Sequence, residues 1–319
     1  MSTLVFLEHH GDSIQKGSLG VLSKAASLDP DTSAVIIGSG VSGLAAKAAQ
    51  YGAATVYIAD DTRLEKPLPQ PRVDVLAALV SAKGFDNVLF QASVLASDIA
   101  GGLAARLDAG LNWDLGDLVM DGGALVGKRS ALGDTVLVDV GWTATPRLGL
   151  VRAGSFEPTE RPAAGAVESA EVPLQEFSTK ATITEQAQEV SSGPSIEEAE
   201  ILVCGGRGLG APEAFGSLEE LAGALGGAVA STRAVVDSGW YPYPTQIGQT
   251  GKTVAPKLYI GAGVSGAIQH KVGMQSSQVI VAVNKDANAP IFDFCDFGVV
   301  GDLHTVIPAL TALVKERKG

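Results

Sequence analysis

Short apolar runs alternate along the chain with longer segments in which apolar residues recur every three or four positions. Such runs are typical of buried strands, and the longer segments are typical of amphipathic helices. Strands and helices in this alternation favour a parallel sheet covered by helices on both faces. We therefore predict an α/β fold for the first half. The apolar runs there are TLVFL (3–7), AVII (34–37), ATVYIAD (54–60), NVLFQ (87–91) and TVLVDV (135–140).

The alternation stops between residues 157 and 200, where Pro, Ser, Ala and Glu dominate. Two short pieces of this segment, VESAEVPL (167–174) and KATIT (180–184), have strand-like alternation. The composition predicts an interdomain connection that contributes an edge strand, followed by a hinge near Ser191–Pro194.

The same alternation restarts after residue 200 and continues to a C-terminal helix that reaches about Lys315. In one of its helical segments, Ser217 and Glu220 have the spacing of a capping box. With 319 residues the chain is long enough for two cores. We predict two domains with mainly parallel sheets, 1–195 (including the connection) and 196–319. The apolar runs of the second half are EILVC (200–204), AVASTRAVV (228–236), KLYI (257–260), QVIVAV (278–283) and GVV (298–300).

Composition and charge argue against several classes of binding partner for this chain. The formal net charge is −12 and no basic stripe occurs, which argues against binding to nucleic acid or to an anionic membrane. Two cysteines cannot form a disulfide scaffold, and His9 and His10 lack partners at metal-ligand spacing, so no metal site is expected. Neither a signal segment nor a membrane span is recognisable, so we expect a cytoplasmic protein without membrane insertion.

Two glycine loops share the spacing G-x-G-V-S-G, one beginning at Gly38 and the other at Gly261. In the first, Gly38, Gly40 and Gly43 follow a predicted strand, and Asp60 lies about 20 residues further on, as in dinucleotide-binding loops. This loop supports one hypothesis, a two-domain NAD(P)-dependent oxidoreductase. A tight strand-to-helix connection requires glycines as well, so the pattern alone does not decide.

The second loop lacks an acidic residue at that distance but has polar neighbours. Six polar or glycine-rich loops follow predicted strands, so they can meet at one sheet edge. They offer two arginines for a pyrophosphate, glycine amides for anions, and amide and hydroxyl groups for a heterocycle. The six are GGRG (205–208), STR (231–233), QIGQTGK (246–252), GVSGAIQH (263–270), VNKD (283–286) and GDL (301–303).

These loops and the strands between them resemble the C-terminal domain of the electron-transfer flavoprotein alpha subunit, over residues 201–313. LEHH, VLASDIAGGLAARL and PRLGLVRAGSFEP resemble its N-terminal domain more loosely. The resemblance implies a Rossmann-like FAD-binding fold for the second domain and a partner-facing first domain. It also implies a heterodimer with one FAD, completed by a beta subunit that often carries AMP.

The family implies an electron carrier rather than an enzyme with its own substrate. Its flavin accepts electrons from acyl-CoA-type dehydrogenases of fatty acid beta-oxidation and passes them to a membrane quinone oxidoreductase through a stabilised anionic semiquinone. A scaffold or flavin-storage subunit is a third alternative beside the carrier and the NAD(P)-dependent enzyme.

Carried over by position, the resemblance places Arg207 at the FAD phosphates or flavin region and Arg233 at the isoalloxazine face. Gln249 and Thr250 are expected to face the flavin, with the Thr250 hydroxyl near N5. His270 is expected near the C2 carbonyl.

The adenosine end of FAD is assigned to Asn284, Asp302 and Leu303. Further cofactor contacts are expected from the remaining residues of the same loops. These are Thr232, Gln246, Ile247, Gly248, Gly263, Ser265, Gly266, Ala267, Ile268 and Gln269. Thr232, Cys204 and His304 depart from the residues common in the family, and no function is assigned to Cys204 or His304.

Overall fold

The computed structural model describes residues 2–132, 136–185, 195–197 and 199–318. The chain divides into two compact units, Met1–Gln186 and Ala187–Gly319, slightly before the predicted boundary at residue 195. The predicted hinge near Ser191–Pro194 lies outside the described residues.

Within its described residues, the first unit contains a nine-stranded sheet in the order β11-β5-β4-β1-β6-β10-β7-β8-β9, and β2 and β3 form a separate antiparallel pair. The strands are β1 (Thr3–Phe6), β2 (His9–His10), β3 (Ser13–Ile14), β4 (Ser33–Gly38), β5 (Thr55–Asp60), β6 (Asn87–Gln91), β7 (Leu111–Asp121), β8 (Ala124–Ala131), β9 (Val136–Val140), β10 (Arg147–Val151) and β11 (Ala166–Ser169). The helices are α1 (Lys16–Leu28), α2 (Ala45–Gln50), α3 (Pro69–Lys83) and α4 (Val94–Leu107).

Alternate residues of the central strands enter two separate apolar cores. In β1, Leu4 and Phe6 pack on one face of the sheet and Val5 packs on the other. Because helices cover both faces, both sets of side chains must be apolar, which explains the continuous apolar runs of the sequence.

The end of the first sheet that contains β7, β8 and β9 differs from the parallel arrangement predicted from the sequence. Strand β8 pairs antiparallel with both β7 and β9, so Val136–Val140 of the TVLVDV run form an antiparallel edge strand and not a parallel one. The sequence of β7 and β8 carries Asp, Asn and Gly, which are depleted in strands, and neither was predicted.

The predicted edge strand of the interdomain segment is confirmed over Ala166–Ser169, where β11 pairs in parallel with β5. The second piece, KATIT, forms no strand in its described residues.

The second unit has a six-stranded sheet in its described residues, in the order β14-β13-β12-β15-β16-β17, and every pairing is parallel. Counted from β12, this order is 3-2-1-4-5-6, the doubly wound arrangement of Rossmann-like folds, as predicted. The strands are β12 (Ile201–Gly205), β13 (Ala228–Thr232), β14 (Gln246–Ile247), β15 (Leu258–Ala262), β16 (Val279–Asn284) and β17 (Phe297–Val300). The helices are α5 (Phe215–Leu225), α6 (Arg233–Asp237), α7 (Ile268–Met274) and α8 (Leu303–Lys318).

The predicted capping box in α5 is wrong. The helix begins at Phe215, and the Ser217 hydroxyl donates to the carbonyl oxygen of Ala214 at 2.8 Å instead of capping the helix.

Short 3-10 turns lie at Ser42–Leu44, Thr62–Leu64, Glu176–Thr179, Arg207–Leu209, Pro212–Ala214, Tyr243–Thr245 and Pro290–Asp293. Among the described helices, none is long and apolar enough to cross a membrane.

Candidate functional site

A cavity of about 520 Å³ opens at the carboxyl edge of the second sheet. It lies where the strand order reverses between β12 and β15, the position at which doubly wound sheets bind ligands. Five of the six predicted loops line it, and the loop at 301–303 does not. The predicted residues in its lining are Arg207, Thr232, Arg233, Ile247, Gly248, Gln249, Thr250, Gly263, Ser265, Ala267, Gln269, His270 and Asn284.

The loops after β12 and β15 touch through their backbones. Gly206 N donates to the oxygen of Ala262, and Gly208 N donates to that of Gly263, both at 3.0 Å. A Cβ added at residue 206 would lie 2.2 Å from the oxygen of Gly263, which is far inside van der Waals contact. Glycine is therefore required at 206 for the two loops to meet.

A hydrogen bond from Gln246 orients Thr250 in the loop after β14. Gln246 is buried, does not line the cavity, and donates through Nε2 to the Thr250 hydroxyl oxygen at 3.2 Å. The Thr250 proton is thereby left for another acceptor, and Thr250 is exposed at the cavity. Gln246 thus orients a residue of the lining, and its predicted contact with a cofactor stays a prediction.

His270 lies in the lining but is 7% exposed, and both ring nitrogens have protein partners. Nδ1 is 3.1 Å from the oxygen of Ile247, and Nε2 is 2.8 Å from the Tyr259 hydroxyl. Burial lowers the pKa of His270 to about 4, so the ring is neutral at pH 7. Both ring nitrogens of His270 thus have protein partners in this arrangement, and the expected contact with a ligand carbonyl stays a prediction.

Helix α7 does not start at the GVSG motif (263–266). It begins at Ile268 and has seven residues, so His270 is its third residue. Residues 264–267 form an irregular loop that ends at Ala267, the residue before the helix.

Two cations border the cavity. Arg233 Nε lies 3.3 Å from Asp237 Oδ2, and both side chains are exposed. The Arg207 side chain is exposed and makes no hydrogen bond or ion pair with the described part of the chain. An exposed ion pair contributes little to stability, so both guanidinium groups can turn to an anion at low cost.

Four predicted residues other than Gln246 lie outside the lining. Leu303 is 5% exposed and belongs to the apolar core, and Asp302 Oδ1 accepts from His304 N at 3.0 Å at the start of α8. Gly266 is buried against Ile291, and Ile268 is 75% exposed. Asp302 and Leu303 thus contribute to the capping and packing of α8, and their assignment to an adenosine stays a prediction.

Five residues of the lining were not predicted from the sequence. Two of them, Gly206 and Gly208, stand inside the GGRG motif, and Asp237 is one helical turn beyond Arg233, a signal that could have identified it. The five are Gly206, Gly208, Ala234, Asp237 and Val264.

The first glycine loop is closed by its own carboxylate. Asp60 accepts from Gly40 N at 2.7 Å, from Ser42 N at 3.2 Å and from the Ser42 hydroxyl at 2.6 Å. These bonds lower the pKa of Asp60, with the Ser42 hydroxyl as the largest cause. A phosphate would need the same amides, so the geometry does not favour the hypothesis of an NAD(P)-dependent enzyme.

No three His, Cys, Asp or Glu side chains lie together as metal ligands would within the described ranges. The side chains that line the second-unit cavity offer cations, a carboxylate, amides and hydroxyl groups.

Comparison with known proteins gives the family. Residues 3–177 match the electron transfer flavoprotein domain, and residues 195–275 match the electron transfer flavoprotein FAD-binding domain. The electron transfer flavoprotein subunit alpha of Mycobacterium leprae (strain TN) is 44% identical over 319 residues, covering 99% of both chains. The subunit of the same name from Syntrophomonas wolfei is 38% identical over 314 residues, covering 98% of this chain and 99% of the relative.

A protein named FixB from Clostridium saccharobutylicum is 37% identical over 320 residues, covering 98% of this chain and 96% of the relative. Both matched domains lie in their respective units, and the similarity runs along the whole chain. The chain therefore belongs to the electron transfer flavoprotein alpha subunit family.

Proposed function

We propose that this chain binds FAD in the second-unit cavity and serves as the alpha subunit of a heterodimeric electron carrier. The observation that carries the proposal is the cavity itself. It lies at the strand-order reversal of a doubly wound sheet, between loops of glycine, arginine, amide and hydroxyl residues.

The residues present fit FAD. Gly206, Gly208 and Gly263 line the cavity beside Arg207 without side chains, which suits a pyrophosphate. Gln249 and Thr250 offer polar groups to a flavin ring, and the Thr250 proton is available because Gln246 bonds its oxygen.

Bound FAD supplies one-electron redox chemistry. Arg233 is an exposed cation in the lining, and a cation near a flavin favours its reduced, anionic form. Asn284 holds the loop after β15 by donating to the oxygen of Val264 at 2.9 Å. These residues bind and orient, and none has the arrangement of a nucleophile with a general base.

A partner subunit completes the proposed site. Arg207, Gln249, Ser265 and Gln269 all line the cavity and are exposed, so one side of a bound ligand would remain in water. We infer that a beta subunit, carrying AMP in its own site, covers this side. The redox partners we propose are acyl-CoA-type dehydrogenases as donors and a membrane quinone oxidoreductase as acceptor, with the carrier in the cytoplasm.

The test is a reductive titration of the chain purified with its beta subunit. We expect one FAD per heterodimer and, during stepwise reduction, the red absorption of an anionic one-electron-reduced flavin. A colourless heterodimer that is stabilised by NAD and not by FAD would contradict the proposal. The scaffold alternative predicts bound flavin that never exchanges electrons with a dehydrogenase.

A further inference from the structure

The turn that presents Thr250 to the cavity is exposed. It spans residues 248–251 and is closed by a hydrogen bond from Gly251 N to the oxygen of Gly248 at 2.9 Å. Gln249 and Thr250 are its two central residues, and both are exposed and line the cavity. Because an exposed turn has few packing contacts of its own, its orientation depends on the groups that bind it.

Tyr243 supplies one of these groups from the segment that precedes β14. Its hydroxyl donates to the carbonyl oxygen of Thr250 at 3.1 Å. Gln246 donates to the hydroxyl oxygen of the same residue at 3.2 Å. Thr250 is therefore bound both at its backbone and at its side chain. Since a carbonyl oxygen lies in the plane of its peptide group, the bond from Tyr243 fixes the plane between Thr250 and Gly251.

The backbone that carries Tyr243 is restrained by its neighbours. Pro242 and Pro244 flank the tyrosine, and a proline ring fixes φ near about −65°. Thr245 N donates to the oxygen of Pro242 at 3.1 Å and closes the 3-10 turn. The Thr245 hydroxyl oxygen lies 2.8 Å from Ser231 Oγ in β13. The tyrosine thus reaches Thr250 from a backbone whose position is set by the second sheet.

Packing does not explain Tyr243. Its side chain is 61% exposed, so burial of the ring contributes little to stability. The residue does not line the cavity either, so it is no ligand contact. The bond from its hydroxyl to Thr250 is the contact that relates this residue to the site.

We propose that Tyr243 is a positioning residue of the cofactor site. Its hydroxyl fixes the Thr250 carbonyl and so orients Thr250, whose own hydroxyl faces the flavin. Tyr243 acts through Thr250 and does not itself contact the ligand. The hydrogen bond is a property of the chain, and only the consequence for FAD rests on the proposed function.

The sequence allows this hydrogen bond to be measured directly. Thr250–Gly251 is the only Thr–Gly pair of the chain. Protein labelled with ¹³C at the threonine carbonyls and with ¹⁵N at glycine therefore gives a single carbonyl–amide correlation in NMR, and no FAD is needed. A hydrogen bond to a carbonyl oxygen moves the ¹³C signal of that carbonyl downfield, so the signal reports the bond from Tyr243.

Tyr243→Phe removes the hydroxyl and retains the ring. We expect the ¹³C signal of Thr250 to move upfield in this variant. Tyr241→Phe is the matched control, because the Tyr241 hydroxyl bonds Glu219 and not the turn, and it should leave the signal unchanged. A signal that stays in place in Tyr243→Phe, or that moves equally in both variants, would overturn the proposal.

FAD binding by the heterodimer supplies the second measurement. We expect Tyr243→Phe to weaken FAD binding about threefold, because water partly replaces an exposed hydrogen bond, and Tyr241→Phe to leave it unchanged. Equal FAD affinity in Tyr243→Phe and the wild type would contradict the proposal.

A double-mutant cycle with Thr250→Ala separates positioning from a general structural role. If Tyr243 acts through Thr250, its replacement should matter less once the Thr250 hydroxyl is absent. We expect the loss of FAD affinity from Tyr243→Phe to fall to less than about 1.5-fold in the Thr250→Ala protein. Equal losses in the two backgrounds would overturn the proposal. A wild-type heterodimer that binds no FAD would contradict the proposed function and leave the NMR result standing.

Discussion

The two units have related sheets, but the carboxyl edges of these sheets differ. One edge is closed by carboxylates, and the other opens into a cavity. In the first, β1 lies between β4 and β6, and in the second, β12 lies between β13 and β15. The edge of the first is closed by carboxylates, since Asp60 takes the amides of its glycine loop and Glu8 accepts from Ser93 at 2.5 Å between β1 and β6. In the second, glycine loops meet through their backbones and leave a cavity beside them. A shared G-x-G-V-S-G spacing thus gives a closed turn or an open site, depending on the neighbouring residues.

The largest effect is expected from adding a side chain where the backbones of Gly206 and Gly263 touch, at the open edge of the second sheet. Gly206→Ala places a Cβ 2.2 Å from a backbone oxygen that cannot move aside, so we expect a loss of about 4 kcal/mol in unfolding free energy and of bound FAD. At the closed edge, nothing lies within 4 Å of a Cβ at residue 43, and Gly43→Ala should change stability by less than about 0.5 kcal/mol. Urea unfolding and flavin content measure both; equal effects would remove the distinction between the loops.

Two arginines provide the next comparison. Arg72 is 4% exposed and donates to the oxygens of Leu64, Lys66 and Leu68, so Arg72→Met should destabilise the first unit by about 3 kcal/mol. Arg207→Met should leave stability within about 0.5 kcal/mol and weaken FAD binding. Thermal unfolding and FAD titration of the two variants give the comparison, and a stability loss in Arg207→Met would mean that this cation is structural.

Acid is expected to destabilise the second unit through His270. The folded-state pKa of His270 is about 4 and the usual value is 6.5, so below pH 6.5 the unfolded chain binds a proton that the folded chain does not. Stability of the second unit should fall as the pH falls from 6.5 towards 4, by about 2 kcal/mol at pH 5, and be level above pH 7. Asp60 has a lowered pKa and its contribution is present above pH 3.8, so the first edge should not lose it in this range.

The measurement is urea unfolding followed by Trp240, the only tryptophan of residues 187–319, after Trp113→Phe and Trp142→Phe. The difference between this protein and its His270→Gln derivative isolates the histidine from other titrating groups. Identical pH profiles with and without His270 would contradict the prediction.

The smallest effect is expected from the carboxylate that closes the first loop. Asp60→Ala frees two amides and one hydroxyl at the surface, where water replaces the lost bonds, and should cost about 1 kcal/mol. Added pyrophosphate should then stabilise the variant and not the wild type, because the anion can take the place of the carboxylate. No response of either protein to pyrophosphate would mean that loop shape, and not Asp60, excludes anions.

Much of the fold follows from periodicity. Runs such as NVLFQ coincide with β6, and the order of strands and helices predicts which loops meet at one edge. The antiparallel strands β7 and β8 could not be predicted in this way, because Asn112, Asp114 and Gly116 interrupt the apolar pattern. Their pairing is stabilised by contacts between strands, which a single sequence does not display.

The cavity was less predictable than the fold. Topology identifies the loops, but the conformation of each loop decides whether a residue faces the cavity or the core. Leu303 and Gln246 illustrate this, since both stand in predicted loops and both are buried behind the lining. The hydrogen bonds that His270 makes with Tyr259 and Ile247 could not be predicted from the sequence either. Tyr259 and His270 are brought together only by the connection between β15 and α7.

The contact between Gly206 and Gly263 has a consequence for how this chain can vary. Every replacement at residue 206 adds a side chain, so a saturation-mutagenesis map should show intolerance to polar, apolar and charged residues alike. Residue 207, one position along, should accept many replacements in an assay of folding and few in an assay of electron transfer. Adjacent codons would therefore carry two kinds of constraint, one on the volume of a residue and one on its charge.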